Sequence, residues 1–194
     1  MKLVRSIAAA ATLMCSVSIA NAGSADLVLF IDAGTVSTKI EGLDANLRGE
    51  LTDKDLTERD FMRRARFRIS CQQGGRQFLF VNTADDLDPW PDLKGDATIE
   101  VGSTLISQTG AFEPLVTRLK AFRANDILTI AMDITGRVTE ITQTWTVGFP
   151  IKITSSPGHT LPDLNLVIFP GETSAGFHAE VSTVARACAL LSGY

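Results

Sequence analysis

A chain of 194 residues, 45% of them apolar and 21% charged, has enough material for one packed domain and is too apolar for a disordered or collagen-like polymer. Three cysteines exclude a disulfide-dense miniature scaffold. A net charge of −4 argues against a general nucleic-acid or anionic-membrane surface.

The chain opens with an address. Lys2 and Arg5 give a short basic start, Ile7 to Ala20 is an apolar run, and Ala20-Asn21-Ala22 is a small-x-small cleavage site. Those are the three parts of a secretory signal peptide, and the run falls short of the roughly 20 residues that span a bilayer. Residues 1–22 are therefore expected to be a signal peptide and 23–194 a single globular domain, periplasmic or secreted, with no membrane span after cleavage. Cleavage removes Lys2, Arg5 and Cys15, leaving 16 basic against 22 acidic residues, a net charge of −6, and two cysteines. In an oxidising compartment such a pair most often joins, so a Cys71–Cys188 disulfide is expected.

Leu27–Ile31 and Val36–Glu41 read as strands. Within residues 59–68, five of ten are arginine, in an otherwise acidic protein. Ala65–Val81 is the clearest hairpin. Phe67, Ile69 and Cys71 alternate with Arg66, Arg68 and Ser70, the period of a half-buried strand, and Gly74-Gly75 supplies the turn. Arg64, Arg66 and Arg68 are thereby expected on one outward face, with Cys71 pointing inward.

Asp85–Asp92 is an acidic loop stiffened by Pro89 and Pro91, with Trp90 between them. A tryptophan held exposed there would stack on a sugar or anchor a protein partner, and one folded down would cap the core. Thr98–Ile106 reads as a strand. Phe112, Leu115, Leu119 and Phe122 recur at helical spacing, with Pro114 where a first helical turn tolerates it, which predicts a helix. Ile127–Val147 reads as a second hairpin turning at Thr135-Gly136, with Thr142, Thr144 and Thr146 on a solvated face of its return arm. Phe149–Thr154 and Leu164–Phe169 are two more short strands. Finally Phe177, Val181, Val184, Cys188 and Leu191 form one stripe at steps of four and three, a helix over Ala175–Leu191 capped by Thr173 or Ser174. Cys188 sits in that stripe, so the bridge would pin the terminal helix to the first hairpin.

The expected fold is α+β: mostly antiparallel β, sandwich-like or a partly open barrel, with the C-terminal amphipathic helix packed on it. The Cys71 hairpin and the Phe177…Val184-Ala185-Arg186-Ala187-Cys188 helix resemble small periplasmic proteins associated with bacterial secretion or host-cell invasion. The likeness is confined to those two segments.

Catalytic patterns fare poorly. Gly171-Glu172-Thr173-Ser174-Ala175-Gly176 has one residue too many for a nucleophile elbow, and it lacks the lysine of a phosphate loop. His159 and His178 are the only histidines, so no zinc set forms with two oxidised cysteines. Pro89 and Pro91 interrupt the calcium-loop pattern that Asp86 and Asp88 begin. No cofactor and no metal are expected. The reading is a non-enzymatic binding or accessory module for a protein or anionic envelope partner, with Arg64, Arg66, Arg68 and Trp90 as its binding residues. The alternative is an envelope hydrolase using carboxylates of the 85–92 loop, Asp85, Asp86 or Asp88, since paired carboxylates hydrolyse sugars without a visible motif.

Overall fold

The computed structural model describes residues 25–53, 65–83, 87–106, 112–148, 150–155, 161–171 and 174–193; the signal-peptide reading of residues 1–22 lies outside them. Among the described residues there are nine strands and two helices. The strands are β1 (Ala25–Glu41), β2 (Asp44–Asp53), β3 (Ala65–Gln72), β4 (Gln77–Thr83), β5 (Asp96–Ile106), β6 (Phe112–Ala124), β7 (Ile127–Asp133), β8 (Ile151–Ser155) and β9 (Leu164–Pro170). The helices are α1 (Val138–Val147) and α2 (Ala175–Ser192). The fold is α+β and mostly antiparallel, with the C-terminal helix packed on the sheet, as the residue pattern predicts.

The strands are hydrogen-bonded in the order β1-β2-β3-β4-β7-β6-β5-β8-β9, and β9 returns to pair with β1. Every pairing is antiparallel except β1 with β9. Parity demands that exception. Directions that alternate around a closed ring need an even number of strands, and this ring has nine. It is not a regular barrel: β1 runs 17 residues with a register break between Asp32 and Ser37, while β8 runs five.

Alternation puts one face of each strand inside. Leu27, Leu29 and Ile31 of β1, Phe67, Ile69 and Cys71 of β3, and Leu164, Leu166 and Ile168 of β9 are all buried. Gly49 on β2 stands opposite Phe67, and a Cβ there would lie 2.4 Å from the Phe67 ring. The missing side chain is what lets Phe67 lie over β2 and meet Trp145 of α1 edge-on, with ring centroids 5.2 Å apart.

Helix α2 buries Phe177, Val181, Val184 and Cys188, packs against β1, β2, β3 and α1, and is capped by Ser174, whose Oγ accepts from the Phe177 N–H at 3.3 Å. It is tied along its length. Thr38 of β1 donates its N–H to the Glu180 carboxylate and its hydroxyl to the Glu180 carbonyl (2.8 Å). Cys188 is bonded to Cys71 with Cα atoms 5.3 Å apart, and Gln77 Nε2 donates to Ser192 Oγ at 3.0 Å.

Two segments depart from the sequence reading. Residues 112–122, expected as a helix, belong to strand β6, which is paired on both sides by β5 and β7. Its inward positions include the small Ala121 and its outward ones Phe122, so the apolar alternation is blurred where Phe122 leans on Lys120 (5.8 Å from nitrogen to ring centre). Residues 138–147, expected as the return arm of a hairpin, form α1. Val138, Ile141 and Trp145 are buried at steps of three and four, a helical stripe, and Thr142 and Thr144 are buried too. Their hydroxyls are satisfied within the helix, donating to the Val138 and Glu140 carbonyls at 2.9 and 2.8 Å. Gly148, at φ 90°, then ends the helix in the left-handed conformation that glycine favours.

Candidate functional site on the outer face of β2, β3 and β4

The outward side chains of β3 continue across the ladder in straight rows. Arg68 stands opposite Arg48 of β2 and Phe80 of β4, and Arg66 stands opposite Glu50 and Asn82. Arg66 and Arg48 are exposed and Arg68 is half-buried. Arg64 lies outside the described residues. The Arg68 guanidinium carbon sits 4.3 Å from the centre of the Phe80 ring, within cation–π range. Phe78, on the same face of β4, extends the apolar surface, its ring centre 5.9 Å from that of Phe80.

Among the described residues no ion pair joins Arg48, Arg66 or Arg68 to a carboxylate. Like charges directly opposite one another on neighbouring strands repel. Burial first, and then the Arg48 charge, lowers the pKa of Arg68 below the ordinary arginine value. The side chain stays a cation, because that ordinary value lies so far above neutrality. The face therefore presents two adjacent guanidiniums, one resting on an aromatic ring, with Arg66 two positions along β3. Such forks take planar oxyanions in bidentate fashion.

Trp90 is elsewhere and differently employed. It is 1% exposed, so its ring belongs to the core and presents no stacking surface. Its Nε1 donates to the Pro162 carbonyl at 2.9 Å, and its backbone N–H donates to Asp88 Oδ1 at 2.8 Å. Arg123 of β6 clasps the same loop: it pairs with Asp88 Oδ2 and donates to the carbonyls of Trp90 (2.9 Å) and Leu93 (3.2 Å). Both oxygens of Asp88 are thus engaged. Asp85 and Asp86 lie outside the described residues, as does His159.

Among the described residues there is no group of histidine, cysteine and acidic side chains able to hold a metal, and no helix long and apolar enough to cross a membrane. A groove of about 300 Å³ runs between α1 and α2, lined by Thr142, Thr146, Val181 and Arg186 among others. The hydroxyls of Thr142 and Thr146 already donate to backbone carbonyls; Arg186, Gln143, Ser182 and Thr139 are the groove's other polar side chains.

The sequence reading placed Arg66 and Arg68 on the outer face but missed Arg48 and the Phe80 platform. The signal was available: Ala45, Leu47, Gly49 and Leu51 alternate with Asn46, Arg48, Glu50 and Thr52, the same period of two. No protein-family model, curated protein or solved structure matches the chain.

Proposed function

We propose that this protein is a non-enzymatic binding or accessory module of a bacterial-type cell envelope, which holds an anionic partner against the outer face of β2, β3 and β4. The observation that carries the reading is the Arg48–Arg68 row, lying next to Arg66 and joined to no carboxylate among the described residues. Bulk charge does not explain it, because the whole chain carries −4. Export to the periplasm or medium is supported by the signal-like residues 1–22, and the Cys71–Cys188 bridge suits an oxidising compartment. The hydrolase alternative draws no support from Asp88, whose carboxylate is 4% exposed and committed to Arg123 and the Trp90 N–H.

The test is capture from envelope extract on immobilised mature protein, wild type against the Arg66→Glu, Arg68→Glu double variant, at low and physiological salt. Circular dichroism and a thiol count confirm the fold of each. The expected result is capture by wild type that weakens with salt, since exposed charges are screened within about 8–10 Å at physiological ionic strength, and that is lost in the double variant. Equal capture by both proteins refutes the reading.

A further inference from the structure

We propose that Arg48 and Arg68 form a carboxylate seat for an extended acidic segment of a protein partner, an inference that rests on the binding reading above. The two side chains come from directly opposite positions of β2 and β3, where Cβ atoms lie about 4.5–5.5 Å apart. A carboxylate between them turns a repulsive pair into two charge-assisted contacts. Phe80 contributes by fixing the Arg68 guanidinium against its ring, so less side-chain freedom is lost when the anion arrives. The lowered pKa of Arg68 points the same way, because the cationic form is held at a cost that an anion relieves.

The choice of a peptide follows from spacing and charge. Arg66 lies two residues from Arg68 on the same strand face, about 6.8 Å away at a rise of about 3.4 Å per residue. Alternate side chains of an extended peptide have that same separation, so acidic residues at every second position match both arginines. Glu50 stands opposite Arg66 and offsets part of its charge, which leaves the Arg48–Arg68 pair as the stronger point. Phe78 and Phe80 give the strip beside it an apolar character that suits a peptide backbone and its aliphatic carbons. An anionic bilayer is disfavoured because it meets the whole molecule, whose net charge is −4, whereas one acidic segment meets only this face.

The probe is a fluorescent peptide of alternating glutamate and valine, with its glutamine counterpart as control, measured by anisotropy at low salt. Wild type is expected to bind the glutamate peptide and not the glutamine one. Arg48→Gln and Arg68→Gln each weaken binding about tenfold or more, as loss of a hydrogen bond to a charged group does. Arg48→Lys, which keeps the charge and loses the fork, restores only part of the affinity. Lys152→Gln, exposed on β8, leaves it unchanged. The seat is refuted if the two peptides bind alike, or if the Arg48→Gln, Arg68→Gln protein binds as wild type does. Phosphatidylglycerol vesicles that bind through the same arginines while the peptide does not overturn the peptide assignment in favour of a membrane. If partner capture is lost in the Arg66→Glu, Arg68→Glu protein but wild type ignores the glutamate peptide, the seat fails and the binding reading stands. If capture is unaffected, both fail.

Discussion

Replacing Cys71 and Cys188 together by alanine is expected to remove a substantial share of the stability of the domain while leaving it folded. The two residues are 117 positions apart, and the loop-entropy relation for a closure of that length gives about 5 kcal/mol at 25 °C. A domain of this kind has in total about 5–15 kcal/mol to lose. Opposing the loss, α2 keeps its other attachments: the buried stripe of Phe177, Val181 and Val184, the Thr38–Glu180 hydrogen bonds and the Gln77–Ser192 contact. Complete burial of each of those apolar side chains contributes about 1.5–3 kcal/mol, so the helix should remain docked in the native state. The variant is therefore expected to fold, with spectra like those of wild type, and to unfold at much lower urea. Because removing a cross-link also lets the unfolded chain expand, the comparison must use extrapolated free energies rather than midpoints alone. A loss of about 3–5 kcal/mol supports the reasoning. A loss under about 1 kcal/mol refutes it, and means that the unfolded chain is already held compact by other contacts. Thiol counting on unfolded, unreduced wild type supplies the independent check: two free thiols in exported protein would show that the bridge does not form.

Arg123→Met should cost about 3 kcal/mol, since it leaves the Asp88 carboxylate buried without its cation and frees the Trp90 and Leu93 carbonyls. Urea unfolding measures the cost and a red shift in tryptophan emission reports the loosened loop; unchanged stability and emission would mean that the Trp90–Pro162 bond alone holds it. Export with cleavage after Ala22 predicts an intact mass for the recovered protein that begins at Gly23, and a species retaining residues 1–22 refutes it.

Legibility in the sequence followed the strictness of local periods. Strand β3 and helix α2 each carry an unbroken apolar period, of two in one case and of three and four in the other, and that was enough to aim Cys71 and Cys188 at the same interior. Strand β6 was obscured because one of its inward residues is only an alanine and one of its outward residues is a phenylalanine. Helix α1 was obscured because four of its ten residues are threonine, whose β-branching favours strands; three of them, Thr142, Thr144 and Thr146, satisfy their hydroxyls by back-bonding to carbonyls a turn earlier. The outward direction of Arg66 and Arg68 was a local property and could be read. The outward direction of Arg48 is equally local, but its place opposite Arg68, with Phe80 on the other side, is set by cross-strand register, which depends on how whole strands align.

The single parallel contact has a consequence for the order in which the ring is assembled. Ala25 of β1 pairs with Leu164 of β9, 139 positions later. A chain made from its amino end therefore lays down β1 first, and Ala25–Ile31 of that strand keep a row of unpaired backbone groups until Leu164–Pro170 have been made. During that interval the unfinished sheet has two open margins, β1 on one side and β8 on the other, each a template for pairing with a neighbouring molecule. Closure of β1 by β9 removes both of those margins at once, so the form lacking β9 is the one most open to edge-to-edge pairing.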